Sequence, residues 1–346
     1  RYRKLSVNLP YICCFENRRM ATLDSIREPV AAELSAYEEY LRDALRSPNA
    51  YVSSVLNYIF GTRGKGIRPL LVMLSGALHR GTEPIGERSF LAAMLIEMLH
   101  TASLVHDDVV DEAYVRRSKP AVNALWRSRT SVLIGDYIFA RSFSVGLERG
   151  ATDIVAFITK SIGQVCEGEL TQSQQSDRLE MTREIYLDII YKKTATLIGA
   201  SSGSGALAVG ASAEEVERMK TFGDHLGIAF QIKDDILDYA LSSQTGKPAC
   251  GDLKERKITL PLLTVLESVS DRERRHLIAK LSDIRRRPQN VDYLRDAVVA
   301  GRGLERSAEV MGDYLDRARA LLGGYPDSPC RRSLLSLCDY IAEREK

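Results

Sequence analysis

Two acidic clusters with the same DDxxD spacing are the residues most able to do chemistry. They comprise, in chain order, Asp107, Asp108, Asp111, Asp234, Asp235 and Asp238. Each cluster follows an apolar, helix-like run, and on a helix the residues at i, i+1 and i+4 share one side. Three carboxylates there repel one another strongly unless a cation lies among them. Because Mg²⁺ favours a few carboxylates together with phosphate oxygens and water, the pattern predicts a pair of opposed Mg²⁺ sites with a diphosphate as the ligand.

Two arginines follow the first cluster at a short distance. Arg116 and Arg117 lie a few residues beyond the last aspartate, and guanidinium groups bind phosphate oxygens in a bidentate fork. For one cluster alone, a solvated acidic helix end beside a basic loop would explain the pattern equally well. The second cluster and the arginines together favour a site for a metal–diphosphate complex.

A glycine-rich loop upstream is a further candidate for anion binding. The segment 64–69 reads GKGIRP and fails the P-loop pattern. Its glycines still let the backbone approach an anion closely, and Lys65 and Arg68 supply positive charge. The alternative is a plain loop before a helix that begins near Pro69.

Two histidines lie close to the first cluster. His100 precedes Asp107 by seven residues, about two helical turns, so the two side chains are expected on roughly the same helix face. His106 is adjacent to Asp107 and points elsewhere, and we interpret it as a core residue.

The second cluster also has basic and polar neighbours. They are, in chain order, Gln231, Lys233, Lys247, Asp252 and Lys257. Lysines beside carboxylates can be simple surface ion pairs, which contribute little to stability. Because basic residues recur around both acidic clusters, we predict a second phosphate-bearing subsite.

Composition and charge narrow the classes of protein. The chain has 346 residues, of which 45% are apolar and 27% charged, with a net charge of +2. This size allows one large domain or two ordinary ones, and the charge balance gives no hint of a nucleic-acid binder or a membrane-coating protein. The six cysteines form no CxxC pair, so we expect no zinc site and no disulfide framework, and we predict a reducing cytoplasm.

The hydrophobic pattern predicts an all-α protein. Apolar residues recur at three- and four-residue spacing, whereas the alternation typical of strands is nearly absent. No run of about 18 apolar residues indicates a membrane span. We expect residues 1–20 to be an N-terminal extension, disordered or non-native, with a targeting or membrane-contact segment as the alternative. Residues 21–346 are predicted to form a single helical domain around a central cavity.

The spaced motifs together resemble those of the trans-prenyltransferase family, the all-trans polyprenyl diphosphate synthases. The matching stretches are residues 64–69, 100–120, 193–194 and 230–263, and the resemblance covers about residues 22–346. It implies the isoprenoid-synthase helical bundle, three Mg²⁺ ions, isopentenyl diphosphate and an allylic diphosphate as substrates, and a homodimer.

The resemblance also implies a role for each site residue. Five aspartates of the two clusters would hold the metals, namely Asp107, Asp108, Asp111, Asp234 and Asp235, with Asp238 as a candidate sixth ligand. The allylic diphosphate would be held by Arg116, Lys193, Thr194, Gln231, Lys233 and Lys247. Isopentenyl diphosphate would be held by Lys65, Arg68, His100 and Arg117. The family often has Gly-Lys where this chain has Arg256-Lys257, and this departure leaves the contact of Lys257 open.

Product length in this family depends on the residues four or five positions before the first aspartate. Large aromatic residues there block a growing chain, whereas this chain has the small residues Ala102 and Ser103. The resemblance therefore implies an open hydrophobic tunnel and a long-chain product. Phe139 and Phe143 are candidates for its floor, although core packing is the simpler role for either.

Three alternatives stay open at this stage. A class I terpene cyclase shares the fold but usually has a different second metal motif and no isopentenyl diphosphate site. A non-catalytic subunit of a heteromeric synthase typically loses aspartates, and this chain keeps all six. A farnesyl or geranylgeranyl diphosphate synthase would need its tunnel blocked by other residues.

Overall fold

The fold is built almost entirely from α-helices, which confirms the all-α prediction. The computed structural model describes residues 22–61, 64–80, 84–239 and 250–345. The predicted extension, residues 1–20, lies outside the described residues, as does Lys247.

Sixteen α-helices are present in the described part of the chain. The first eight are α1 (Leu23–Arg27), α2 (Ala31–Ala44), α3 (Ala50–Gly61), α4 (Ile67–Arg80), α5 (Glu87–Val110), α6 (Val122–Glu148), α7 (Thr152–Arg178) and α8 (Arg183–Ile190). The others are α9 (Thr196–Ala208), α10 (Ala213–Asp238), α11 (Gly251–Lys254), α12 (Leu260–Ser268), α13 (Asp271–Ser282), α14 (Asn290–Ala300), α15 (Gly303–Leu321) and α16 (Pro329–Glu343). A 3₁₀ turn (Glu28–Val30) precedes α2, and a π-helical turn (Tyr191–Ala195) joins α8 to α9.

Helices α4, α5, α9 and α10 form the centre of the bundle. α9 packs against the other three, and α5 also contacts α6 and α7. Nearly every residue of α9 is buried, which fits its mostly small residues, Gly, Ala and Ser. These short side chains let neighbouring helices approach closely. The two DDxxD clusters therefore lie on two of the central helices.

Helix α5 is the most apolar of the long helices. By length and composition it could cross a membrane, but 61% of its apolar window is buried inside the protein. Its side chains Leu91, Leu95 and Met98 lie in the core. This is the pattern of a core helix.

Two local features depart from simple helical periodicity, and both lie in predicted motifs. A two-stranded antiparallel ribbon pairs β1 (Val115–Arg116) with β2 (Lys119–Pro120), directly after the first cluster. The π-helical turn contains Lys193 and Thr194. Such π-bulges are rare and are often found at functional sites.

Candidate active site

Both acidic clusters lie at the carboxyl ends of their helices. Asp107 is in the last turn of α5, where Asp111 is the C-cap, and the second cluster ends α10. The C-terminus of a helix carries partial negative charge, so carboxylates are unfavourable there unless cations lie near them. The fold thus adds to the repulsion that the DDxxD spacing already creates.

Asp107 lies in an environment that opposes its negative charge. Burial and the nearby carboxylates of Glu169 and Asp111 raise its pKa to about 6, although Lys193 and Arg116 act in the opposite direction. Within the described residues, the carboxylates of Asp107 and Asp111 accept no hydrogen bond. These two groups are therefore the carboxylates of the first cluster that remain open to a cation.

Asp108 differs from its neighbours because it already has a cationic partner. It is buried, and Arg116 donates to both of its oxygens from Nε at 2.7 and 2.9 Å, with Nη2 at 2.7 Å from Oδ1. The sequence-based roles assigned a metal to Asp108 and a diphosphate to Arg116. In this structure the two side chains neutralise each other, so this pair would have to open for those roles to be fulfilled.

The ribbon after the first cluster directs its two arginines to different places. Its turn residues Arg117 and Ser118 both have positive φ angles, 51° and 61°, which is uncommon for residues other than glycine. Arg116 reaches back to Asp108, whereas Arg117 packs over Gly64, where any side chain would collide with the guanidinium group. The absence of a side chain at position 64 thus brings the loop at 64–69 and the Arg117 turn together.

One cationic region lies around three residues, Arg68, His100 and Arg117. The Nε atom of Arg68 is buried without a hydrogen-bond partner, and burial lowers the pKa of this residue to about 10. Burial together with the guanidinium groups of Arg68, Arg117 and Arg116 holds the pKa of His100 well below its usual value. The imidazole is therefore neutral beside three cations, and this is an environment suited to an anion.

A pocket that is partly open to solvent, with about 620 Å³ of empty space, adjoins these residues. Its polar side includes His100, Arg116 and Arg117, and its apolar side includes Phe60 and Leu104. Lys65 lies at the surface nearby, with its ammonium 5.6 Å from the Tyr340 ring centre. The cavity has the two-sided character expected for a ligand with a charged group and a hydrocarbon part.

In the second cluster, Asp235 is buried, and each of its two carboxylate oxygens accepts a hydrogen bond. The Tyr186 hydroxyl donates to its Oδ2 at 2.6 Å, and the Gln231 amide donates to its Oδ1 at 2.9 Å. Gln231 in turn accepts from the hydroxyl of Thr194 at 2.8 Å. Burial and the neighbouring carboxylate of Asp252 raise the pKa of Asp235. The three predicted residues Asp235, Gln231 and Thr194 thus form one network.

Asp238 has a structural role in this conformation. Its two oxygens accept the backbone N–H groups of Gly251 and Asp252, at 2.9 and 3.0 Å, and so cap the first turn of α11. This contact secures the chain after residues 240–249 and brings Asp252 beside the cluster. Asp252 is buried, and its pKa is raised to about 6 by burial and by Asp238. A carboxylate engaged by two amides has less capacity left for a metal.

The backbone conformation of Arg256 explains why the family often has glycine at this position. Arg256 has φ 62°, a left-handed conformation that glycine adopts readily, which fits the glycine that the family often has there. Lys257 still reaches the site: its ammonium lies 2.5 Å from Glu255 and is attracted by Asp252 and Asp111. The structure therefore places Lys257 between the two acidic clusters.

Asp234 is paired with a residue near the C-terminal end of the chain. Arg344 donates to its Oδ1 at 2.7 Å and to the Phe230 carbonyl at 2.9 Å, and its guanidinium lies 4.0 Å from the Phe230 ring centre. The neighbouring Lys233 donates to the Ala342 carbonyl at 2.7 Å. In this conformation the C-terminal segment engages both residues, whereas the sequence-based roles had directed them to metal and diphosphate.

Lys193 connects the two clusters. The π-helical turn presents its ammonium to Glu169, at 2.8 Å, and to Gln172, at 2.7 Å. The same ammonium interacts electrostatically with Asp107 of the first cluster and with Asp252 beside the second. A second pocket, also partly open to solvent and with about 650 Å³ of empty space, is lined among others by Lys193, Thr194, Gln231, Asp235, Asp252 and Lys257. The fold therefore brings both acidic clusters to one site.

The donor set fits divalent cations shared with a diphosphate. Within the described residues, no three Asp, Glu, His or Cys side chains lie close enough together to form a ready-made metal cage. Mg²⁺ usually takes one or two protein carboxylates and completes its shell with water and substrate phosphates. Burial is the main cause of the raised pKa of Asp107 and of that of Asp235, and neighbouring carboxylates add negative charge that a cation would neutralise.

The residues predicted to govern chain length lie on α5 but line neither cavity. Ala102 is completely buried, and Ser103 is partly buried with its hydroxyl donating to the His100 carbonyl at 2.9 Å. His106 faces α6, where its ring lies 5.7 Å from that of Phe139. The tunnel itself stays a prediction.

Four residues near the site were missed by sequence reasoning: Glu169, Gln172, Tyr186 and Arg344. Glu169 and Gln172 are three residues apart on α7. They belong to a polar run, and its periodicity alone is typical of a solvent-facing helix surface. Tyr186 lies in an apolar run, where a tyrosine is easily taken for core. Arg344 has no motif around it, and only the packing of α16 against α10 reveals its position.

Comparisons with known proteins agree with this site. A sequence model of the polyprenyl synthetase family matches residues 49–299. The heptaprenyl diphosphate synthase component 2 of Geobacillus stearothermophilus is 37% identical over 317 residues, covering 90% of this chain and 96% of that protein. A short chain isoprenyl diphosphate synthase of Methanothermobacter thermautotrophicus is 34% identical over 290 residues, covering 82% and 87%.

A solved structure shares the fold over nearly the whole chain. The polyprenyl synthase from Caulobacter crescentus, complexed with calcium and isoprenyl diphosphate, has a TM-score of 0.85 and 30% identity, covering 95% of this chain and 100% of that one. These matches confirm the family that the motifs predicted. The chain belongs to the polyprenyl synthetase family and is a prenyltransferase.

Proposed function

We propose that this protein condenses isopentenyl diphosphate onto an allylic diphosphate primer and makes a long all-trans polyprenyl diphosphate. The observation that carries the proposal is the meeting of the two acidic clusters, through Lys193 and Lys257, at one site. That arrangement surrounds a diphosphate with carboxylates for metals and ammonium groups for phosphate oxygens. The calcium and isoprenyl diphosphate named for the Caulobacter crescentus structure support the same ligand chemistry.

The acidic residues would hold Mg²⁺, three ions by family resemblance. Asp107 and Asp111 would act from α5 as they stand. The aspartates that would contribute after their present partners move are Asp108, Asp234, Asp235 and Asp238. When bound, the metal ions supply charge that stabilises the departing diphosphate. Lys193 and Lys257 lie where they would stabilise the same developing charge.

The reaction needs no protein nucleophile. The allylic C–O bond ionises and the diphosphate leaves. The double bond of isopentenyl diphosphate then attacks the allylic carbocation, and a proton is lost to the departed diphosphate. The chain's own groups orient the two substrates: Lys193, Thr194, Gln231, Lys233, Lys247 and Arg116 at the allylic diphosphate, and Lys65, Arg68, His100 and Arg117 at isopentenyl diphosphate. A metal-dependence assay with both substrates tests this, since full turnover in a chelator would contradict it.

Magnesium binding should weaken as the pH falls towards the pKa of Asp107. A carboxyl with a pKa of about 6 is mostly ionised at pH 7.5 and mostly protonated at pH 5.5. If its carboxylate binds the metal, affinity should drop by about fourfold between these values, because only the ionised form is a ligand. Calorimetric titration of the protein with Mg²⁺ alone is the appropriate measurement, since diphosphate substrates also titrate in this range. Affinity unchanged down to pH 5.5 would mean that Asp107 is not a ligand.

Removal of the Lys65 side chain should selectively weaken the binding of isopentenyl diphosphate. Lys65→Ala deletes one charge-assisted contact, worth about 1.5–3 kcal/mol, and so should raise the KM for isopentenyl diphosphate by about 10- to 100-fold. The KM for the allylic primer should stay near the wild-type value. Lys160→Ala, an exposed change on α7, is the matched control. If the primer KM rose instead, the two diphosphate subsites would have to be exchanged.

A long product is the better supported chain length. Ala102 and Ser103 leave no large side chain at the blocking positions, and the relative from Geobacillus stearothermophilus is named heptaprenyl diphosphate synthase component 2. The relative named a short chain synthase keeps the farnesyl or geranylgeranyl alternative open to test. The product assay described in the Discussion separates them.

A homodimer is also proposed. On α6, Val132, Leu133 and Leu147 share one side of the helix and are 41%, 59% and 55% exposed, an apolar face that a second copy of the chain would cover. Light scattering after gel filtration should give twice the monomer mass, and Leu133→Glu should lower the measured mass towards that of the monomer.

We further propose that residues 21–346 act as one domain in the cytoplasm.

A further inference from the structure

A strongly basic surface that contains none of the site residues described above lies on α13 and the turn that follows it. Residues 271–287, the α13 patch, contain seven arginines and lysines and three acidic residues, a net charge of +4 against +2 for the whole chain. The seven cations are Arg272, Arg274, Arg275, Lys280, Arg285, Arg286 and Arg287. All except Lys280 belong to the exposed class.

The cations of the α13 patch are largely uncompensated. Elsewhere, exposed arginines commonly face an acid, as Arg88 does with Asp153 at 2.6 Å. In the patch, the ion pair seen is that of Arg287 with Asp283, at 3.2 Å. Among the described residues, the other five arginines have no acidic partner. An uncompensated cluster of this density attracts polyanions at a range set by the Debye length.

An exposed aromatic side chain completes the patch. Tyr293 of α14 is 47% exposed. Its ring lies 5.7 Å from that of His276 and 5.1 Å from the Lys280 ammonium. The inner face of α13 is already packed against the core, because Leu277 and Leu281 are buried there. A half-exposed tyrosine beside a lysine, on a surface rich in arginine, is a composition that suits the headgroup region of a bilayer.

The patch is close to the second acidic cluster in the fold. α13 packs on α14, and α14 contacts α11, the short helix that carries Asp252. Arg295 of α14 interacts electrostatically with Cys250, at the start of α11. A surface held by α13 and α14 would therefore lie beside the second acidic cluster.

We propose that the α13 patch docks this protein on an anionic lipid bilayer. The choice of a membrane over other polyanions rests on the proposed function, since a long polyprenyl diphosphate is an amphiphile that partitions into lipid. Docking would bring the site close to the surface that accepts the product. The charged headgroups supply the complementary charge, and Tyr293 supplies the amphipathic contact.

Vesicle sedimentation tests this with a matched pair of variants. Wild-type protein should bind vesicles of phosphatidylcholine with roughly one-third phosphatidylglycerol, and not vesicles of pure phosphatidylcholine, at roughly 0.1 M salt. Each basic residue at such a surface contributes about 1 kcal/mol, or about fivefold, so Arg272→Glu with Arg275→Glu should lower the partition coefficient by at least about 25-fold. Arg42→Glu with Arg178→Glu makes the same change in net charge on other surfaces and should leave binding close to wild type.

The outcomes separate this proposal from its competitors. The proposal would be overturned if the wild-type protein did not bind the anionic vesicles. It would also be overturned if the two double variants lost vesicle binding equally. Duplex DNA competing for the same arginines without any vesicle binding would assign the patch to nucleic acid instead. Melting temperature and prenyl transfer in detergent, both expected to match wild type, show that the variants are folded. Because sedimentation needs no turnover, a failure of the proposed reaction would be seen separately.

Discussion

Replacing Asp107 with alanine is expected to lower turnover by about 10²- to 10³-fold, the size of effect seen when one group that stabilises a transition-state charge is removed. Burial, together with the nearby carboxylates of Glu169 and Asp111, raises the pKa of Asp107 to about 6. Without its carboxylate, the α5 side of the site has Asp111 as its remaining open ligand. Steady-state kinetics at saturating substrates measures the loss directly.

The same substitution should leave the fold intact. Removing an unfavourable buried charge relieves repulsion with Glu169 and Asp111, so the melting temperature should be equal to or above that of the wild type. Asp313→Ala, an exposed change on α15, is the control and should alter neither property. Turnover near the wild-type level in Asp107→Ala would contradict the role of the first cluster. Asp234→Ala extends the test to the second cluster.

Introducing phenylalanine at Ser103 is expected to shorten the main product to about three or four isoprene units without abolishing condensation. A growing polyprenyl tail gains about 0.8 kcal/mol per buried CH₂, so it extends as far as open apolar space allows. Ser103 is only partly buried on the inner helix α5, whereas Ala102 is fully buried. The diphosphate sites lie about a helical turn or more away and should remain intact.

Chromatography of the dephosphorylated products reports the change. Ser103→Thr keeps the hydroxyl that bonds to the His100 carbonyl and is the matched control for size. Ala102→Tyr should act in the same direction, but its burial makes loss of folding a competing effect, so its melting temperature must be measured alongside. An unchanged product in Ser103→Phe would mean that the tunnel does not pass this residue.

The sequence predicted the helices and the two clusters because both depend on local patterns. Periodicity identified α5 and α10, and the DDxxD spacing marked the last turn of each. It could not predict which aspartates are engaged by protein groups. The pair between Asp108 and Arg116 depends on the turn at Arg117, and the capping by Asp238 depends on where the chain returns after residue 249.

The remaining site residues depend on tertiary packing. Tyr186 reaches Asp235 only because α8 lies against α10, and Arg344 reaches Asp234 only because α16 does. The π-helical turn that presents Lys193 cannot be read from an apolar pattern that fits a regular helix equally well. Arg256 shows the converse: its left-handed backbone accounts for the family's glycine, although the sequence alone made it an unexplained departure.

The central claim is that one site joins isopentenyl diphosphate to an allylic primer repeatedly. The most direct test is incubation of the protein with farnesyl diphosphate, isopentenyl diphosphate and Mg²⁺, followed by measurement of product chain length. We expect metal-dependent formation of an all-trans product much longer than geranylgeranyl diphosphate. No condensation would contradict the proposed reaction, and a product that stops after one addition would contradict the long-chain assignment.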